Sequence, residues 1–213
     1  EGSGALHPQE LCDEVLLYKA DLGLAFDGDA DRLIVVDHKG EIVNGDEILA
    51  MCATDMITQN TLKKNTVVAT IMSNMGLDIA MQRAGGHVVR TKVGDRYVVE
   101  EMCRNDYNLG GEQSGHLIFR DCTTTGDGIL AALNLLKVVV EQQKTIHELK
   151  KCMVHLPQVL KNVKVRKKVP LEKLPKLEKL INATNQKLAD RGRVIFRYSC
   201  TETLARIMIE CEN

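Results

Sequence analysis

The sequence predicts an α/β protein on a parallel sheet, with a smaller part of different texture from about residue 155 onward. Three observations carry this. From Thr66 onward, short apolar runs alternate with amphipathic stretches of helical length. Hydrophobic residues make up 44% of the chain and charged ones 27%, an ordinary globular balance, and 213 residues suffice to bury a sizeable core. After Leu156-Pro157, Lys and Leu dominate, and Pro170 and Pro175 interrupt the pattern.

Taken in order, residues 8–19 read as a helix, with Pro8 suited to the first turn and Leu11, Val15 and Leu16 as its apolar stripe. Leu22–Phe26 and Leu33–Asp37 read as buried strands around the acidic segment "DGDADR", and His38-Lys39-Gly40 turns the chain into a short strand over 41–44. Residues 47–58 repeat Ile48, Met51 and Cys52 at helical spacing. "TVVATIM" is a buried strand, "GLDIAMQRAG" a helix stopped by Gly85-Gly86, "HVVRTK" a strand and "DRYVVEEMCRN" a helix. "YNLGGEQSGHLIF" holds two strands around a glycine-rich loop. "TTTGDGILAALNLLKVVVEQQK" is a helix capped by Thr125 or Asp127. Beyond residue 155 the lysines read as the solvated face of one strand and one helix, and "GRVIFRYSCTETLARIMIECEN" as two strands around a polar loop.

Composition excludes several classes. The formal net charge of −1 gives no bulk field for nucleic acid or a membrane surface, and 3% aromatics leave little to stack on bases. The 7 cysteines are scattered singly without a C-x-x-C pair, which reads as reduced, mostly buried thiols. No apolar run approaches the ~20 residues of a membrane span. The expectation is a soluble cytoplasmic chain.

Four constellations carry chemistry. Asp27, Asp29 and Asp31 alternate, so on an extended segment they project the same way and converge three hard oxygen donors suited to Mg²⁺. An EF-hand would need Gly at the sixth position and Glu at the twelfth, where Arg32 and His38 stand. A solvated turn without ligand is the other reading. Arg32 adds a charge of the kind that recognises phosphate. "GGEQSGH" offers Glu112, Ser114 and His116 on one loop, suited to sugar hydroxyls or else to a plain hairpin. "RYSCTET", with Arg197, Ser199, Thr201 and then Arg206, reads as an anion cradle or as a polar turn. "TKVGDRYV" places Lys92, Asp95 and Arg96 where a strand meets a helix N-terminus, a ligand position in α/β sheets or a simple cap. Ser73 in "MSNMG" lies in no nucleophile elbow and is expected to cap the next helix.

In this order, "AFDGDADR", "KVGDRYV", "GGEQSGH", "TTTGDG" and "RYSCTE" resemble the motifs of the α-D-phosphohexomutase family, and most closely its bacterial phosphoglucosamine mutase branch. The likeness runs over essentially the whole chain; each motif alone is unspecific, the ordered set is not. It implies mixed-sheet α/β domains of the phosphohexomutase type, followed by an incomplete α+β C-terminal domain. Residues 1–40 would end the second of four domains with the metal loop. Residues 41–155 would form the third with the sugar-binding loop, and 156–213 the first part of the fourth with the phosphate-binding loop.

By the same resemblance Asp27, Asp29 and Asp31 hold Mg²⁺, Arg32 lies near the phosphoryl group, and Lys92 and Asp95 form the turn beside the reacting sugar. Lys92 is the candidate for proton transfer. Glu112, Ser114 and His116 match the sugar loop, and Arg197, Ser199, Thr201 and Arg206 the phosphate loop, where Cys200 and Thr203 replace the usual Gly and Pro. Asp95 stands where phosphomannomutases tend to carry histidine, which favours the glucosamine branch. The family's phosphoserine loop, "S-H-N-P", does not occur in this sequence. The chain is therefore expected to be a fragment, inactive alone, of an enzyme interconverting glucosamine 6-phosphate and glucosamine 1-phosphate. The alternatives are a phosphoglucomutase or phosphomannomutase, or a non-catalytic chain that binds phosphosugar or Mg²⁺.

Overall fold

The structure, a computed structural model, describes residues 7–199 and 202–212. It divides into two compact units, Glu1–Val154 and His155–Asn213.

In the first unit α1 (Gln9–Tyr18) packs Cys12 and Val15 on Val36, with Pro8 as its N-cap. β1 (Leu22–Phe26) and β2 (Leu33–Asp37) form an antiparallel hairpin, Phe26 opposite Leu33, and β3 (Ile42–Val43) adds to β2. β2 is buried throughout, whereas β1 alternates between buried and half-buried. α2 (Gly45–Thr58) begins before the apolar periodicity does, because Asn44 and Glu47 form a reciprocal cap: Asn44 Oδ1 accepts from Asp46 N, and Glu47 Oε2 accepts from Asn44 N. Ile48, Leu49 and Met51 of α2 are fully buried, each stabilising the fold by roughly 1.5–3 kcal/mol.

Next come β4 (Thr66–Thr70), α3 (Met75–Arg83), β5 (His87–Thr91), α4 (Asp95–Asn105), β6 (Leu109–Gly111), β7 (Leu117–Phe119), α5 (Gly128–Gln142) and the short α6 (Ile146–Leu149). The second sheet has the order β5-β4-β6-β7, with β4 parallel to β5 and β6, and β7 antiparallel to β6. It is a mixed sheet, with two parallel pairings and one antiparallel pairing at the β7 edge. Val67 and Ala69 face a core shared with α2, α3 and α5, while Val68 faces Val98 and Met102 of α4. Helices thus cover both faces. The chain runs from β4 to β5 and then back across to β6, so the C-terminal ends of these strands meet where the strand order reverses, the usual ligand position of such sheets.

One helix cap differs from expectation and another settles between the two expected residues. Ser73 does not cap α3; Asn74 does, its side chain accepting from Gly76 N at 2.9 Å, while Ser73 is fully buried. The cap of α5 is Asp127, whose Oδ1 accepts from Leu130 N at 2.9 Å. Not all cysteines are buried: Cys103 and Cys122 are exposed, whereas burial pushes the Cys52 thiol up to about 12.

In the second unit β8 (Gln158–Lys164), α7 (Pro175–Leu188), β9 (Gly192–Tyr198) and β10 (Leu204–Cys211) form an antiparallel sheet of order β8-β10-β9 with α7 against β9. The lysines of β8 and α7 are solvated. Ala205 and Met208 are buried, and so is Glu210, held by Arg193 Nε at 2.8 Å and Gln158 Nε2 at 3.0 Å. Among the described residues no helix is long and apolar enough to cross a membrane.

Candidate active site

The β1–β2 connection is a turn rather than the extended segment that alternation suggested: Ala30 N donates to Asp27 O, and Ala30 itself adopts φ 57°. The turn still converges the three acids, with one carboxylate oxygen each of Asp27, Asp29 and Asp31 all within 4.8 Å of one another. Arg32 is drawn into the cluster. Its backbone N donates to Asp27 Oδ1 at 3.1 Å, and its Nε lies 3.4 Å from Asp27 Oδ2 and 3.8 Å from Asp31 Oδ1. Burial, the neighbouring Asp27 carboxyl and the Asp29 charge push the Asp31 carboxyl above its ordinary range, against the opposing pull of His116. Asp31 Oδ1 is buried without a hydrogen-bond partner. A buried carboxylate oxygen that accepts no hydrogen bond, among two further acids, fits a hard divalent cation.

The glutamate loop between β6 and β7 is joined to this turn. Leu33 N donates to Gly115 O at 3.0 Å, and Arg32 and His116 form an antiparallel bridge. His116 is 6% exposed, and its Nδ1 lies 3.0 Å from Asp31 Oδ2, so the glutamate loop also reaches the aspartate turn through this side chain. The start of α5 closes the third side: Gly128 N donates to Ala30 O at 2.8 Å. The "TTTGDG" stretch thereby gains a structural reason. A Cβ on Gly128 would stand 2.6 Å from Arg32 O, and one on Gly126 would stand 2.2 Å from His116 Nε2.

At the C-terminal ends of β5 and β6, Glu112 is half-buried and its Oε1 accepts from Gly94 N at 2.7 Å. This bond ties the glutamate loop to the 92–95 turn. Lys92, Asp95 and Ser114 are exposed; Lys92 Nζ lies 5.9 Å from the Tyr97 ring centroid, and Arg96 pairs with Glu100. The third strand end, residues 71–74, was not singled out as part of a site by the sequence. Buried Asp46 accepts from Asn74 N at 2.8 Å, while Arg90 donates to Thr70 O and Ser73 O at 2.8 Å each and pairs with Asp78. Nothing local in the sequence marks Asp46 or Arg90, because their partners are far along the chain. One end of the sheet therefore presents carboxylates, an ammonium and a hydroxyl on loops tied to one another, which suits a metal-assisted reaction on a polyhydroxylated phosphate ester.

In the second unit Arg197 and Arg206 stand opposite each other on β9 and β10. Like charges at paired positions repel, and an anion would relieve them. Arg206 is partly compensated by Glu202 at 3.0 Å. Ser199 is buried, and its Oγ accepts from Glu202 N at 3.2 Å, so it builds the turn rather than facing solvent. Lys168, which the sequence analysis did not select, donates to Ser199 O at 2.7 Å. Thr201 and Cys200 lie outside the described residues.

Two family models match the chain: "Phosphoglucomutase/phosphomannomutase, alpha/beta/alpha domain III" over residues 44–156, and "Phosphoglucomutase/phosphomannomutase, C-terminal domain" over residues 160–213. A phosphoglucosamine mutase of Citrifermentans bemidjiense is 58% identical over 97% of this chain and 46% of its own length. One of Geobacter metallireducens is 56% identical over 100% of this chain and 47% of its own. The chain thus spans about half the length of these relatives. A solved structure of N-acetylphosphoglucosamine mutase from Aspergillus fumigatus, in complex with GlcNAc-6P and magnesium, superposes with a TM-score of 0.76 at 19% identity, over 100% of this chain and 50% of that one. At that identity the likeness shows the fold alone.

Proposed function

The chain belongs to the phosphoglucomutase/phosphomannomutase family, and on that premise we propose that it is the cation-, sugar- and phosphate-binding part of a phosphosugar mutase that interconverts glucosamine 6-phosphate and glucosamine 1-phosphate. The observation that carries this reading is the convergence of Asp27, Asp29 and Asp31, with the buried Asp31 Oδ1 accepting no hydrogen bond. Relatives more than half identical along nearly the whole chain are named for this activity, which supports the choice of sugar.

In this reading the three aspartates hold Mg²⁺, which when bound supplies positive charge against the charge developing on a transferring phosphoryl group. Arg32 neutralises the aspartate turn from the side and stands ready to meet a phosphate. Glu112 and Ser114 accept and donate hydrogen bonds to sugar hydroxyls, and Lys92 and Asp95 flank the same space from the neighbouring strand end. In the second unit, Arg197 and Arg206 supply groups suited to binding phosphate. The phosphoryl donor, a phosphoserine, lies outside this sequence. It gives its phosphoryl group to the free sugar hydroxyl to form a bisphosphate, and the other phosphoryl group then returns to the serine. The same contacts serve both orientations of the sugar.

The test is ³¹P NMR of this chain with Mg²⁺ and glucosamine 6-phosphate, with a catalytic amount of the bisphosphate. The expected result is a shifted or broadened substrate resonance without glucosamine 1-phosphate. An unperturbed resonance at millimolar substrate overturns the binding assignment, and turnover overturns the placement of the donor outside these residues.

A further inference from the structure

We infer that the phosphate-binding face of the second unit extends onto β8, where Asn162 supplies a neutral hydrogen-bond donor beside Arg206 and Lys164 a further positive charge at the rim. This rests on the reading of Arg197 and Arg206 as groups that bind phosphate.

Strand register puts these side chains together. Arg206 on β10 stands opposite Arg197 on β9 and opposite Asn162 on β8. Residues directly opposite in antiparallel strands project to the same side, so Arg197, Arg206 and Asn162 form one row across three strands. Two residues nearer the turn, Leu204 stands opposite Lys164 on that same face. Lys161 is opposite Ile207 and therefore projects from the other face of the sheet.

The row is crowded with one sign of charge. Arg197, Arg206 and Lys164 bring three positive charges to this end of the face, and Lys168 adds a fourth where its Nζ meets Ser199 O at 2.7 Å. Glu202 compensates Arg206 at 3.0 Å, yet Arg206 Nε is buried and donates no hydrogen bond. A guanidinium N–H in that position calls for an acceptor, and the surplus charge calls for an anion.

Asn162 is the informative residue. Asparagine is depleted in strands, because its side chain competes for backbone groups, and here it is exposed, so packing does not account for it. Next to two arginines its amide adds a donor without adding repulsion. A phosphate ester presents three acceptor oxygens, one for each member of the row, whereas a carboxylate presents two. The ligand class is therefore a phosphomonoester, met by two guanidinium groups and one amide, with Lys164 drawing it in from the rim.

The experiment titrates inorganic phosphate into the full ¹⁵N-labelled chain, following the Asn162 side-chain amide and the Nε–H signals of Arg197 and Arg206. All three are expected to shift saturably in the parent. Asn162→Ala is expected to weaken phosphate about tenfold, the loss of one hydrogen bond to a charged group. Asn162→Asp places a carboxylate opposite Arg206, so it should raise Tm without phosphate while weakening phosphate further than Asn162→Ala does. Lys164→Met is expected to cost about 2–5-fold, and Lys161→Met, the same change of charge on the other face, nothing. Parent affinity in Asn162→Ala, or equal losses in Lys164→Met and Lys161→Met, overturns the extension onto β8 and leaves the two arginines as they stand. An Asn162→Asp variant that loses Tm together with affinity marks a structural asparagine and overturns it too. If phosphate moves neither arginine signal in the parent, the reading of Arg197 and Arg206 falls, and the inference with it.

Discussion

Leu33 N donates to Gly115 O across 82 residues of sequence (33 to 115), and this one bond joins the strand leaving the aspartate turn to the loop that carries Glu112. Gly115 has φ 92°, and a Cβ there would stand 2.1 Å from Leu33 O. Gly115→Ala adds backbone strain to a clash with main chain. Its melting curve is expected to show a loss of about 2 kcal/mol or more. A variant as stable as the parent would mean that the two loops are not locked in this way.

Asp29 is the exposed member of the aspartate cluster, so its side chain contributes to the cluster and little to the core. Asp29→Asn is expected to keep the parent's circular dichroism while weakening Mg²⁺ at least about tenfold, because affinity follows the charge count of the ligands. The rise in Tm that Mg²⁺ confers on the parent shrinks accordingly. Unchanged affinity in calorimetry would remove Asp29 from the ligand set.

Asp37, at the other end of β2, is fully buried. Burial alone would raise its carboxyl, but hydrogen bonds from Lys150, His147 and the amides of Glu41 and Lys39 outweigh it and hold it at about 2, against an ordinary 3.8. A depressed carboxyl contributes stability above its unfolded value and loses it as the pH falls toward the folded one. The contribution here is present above about pH 4, is lost between about pH 4 and 2, and is of the order of 2 kcal/mol. Asp37→Asn should therefore be less stable than the parent in urea at pH 7 and should approach it near pH 2. A stability gap that does not change with pH would contradict the linkage.

Glu112 holds Gly94 N at 2.7 Å, and Gly94 has φ 128°. Removing the acceptor in Glu112→Ala frees the 92–95 turn without touching the core. Hydrogen exchange is the direct check: the Gly94 amide should exchange at least about tenfold faster, as expected for losing a charge-assisted bond worth about 1.5–3 kcal/mol. Unaltered protection would show that the turn is held by something else.

Glu210 is fully buried in the second unit with Arg193 at 2.8 Å. Breaking a buried ion pair from one side typically costs about 3–5 kcal/mol. In a unit with so few buried apolar side chains, Arg193→Met is expected to unfold residues 155–213 while Glu1–Val154 stays folded. Limited proteolysis followed by mass spectrometry decides it; cleavage spread evenly over both units would count against the assignment.

The sequence by itself determined the elements, the α/β class and the family, because apolar period, glycine stops and ordered motifs are all local. It also put forward the residues of the candidate site: Asp27, Asp29, Asp31, Lys92 and Glu112 were legible as candidate chemistry from spacing and context. Tertiary structure decided what these residues do to one another. His116 looked like part of a sugar loop, and only the β2–β7 junction turns its ring toward Asp31. Asp46 and Arg90 stayed invisible, because a buried ion or hydrogen bond is defined by a partner rather than by a neighbour in sequence. Gly126 and Gly128 were readable only as letters of a motif. What makes them glycines is the absence of room for a Cβ, and that room is set by a ring and a carbonyl roughly ten and a hundred residues away.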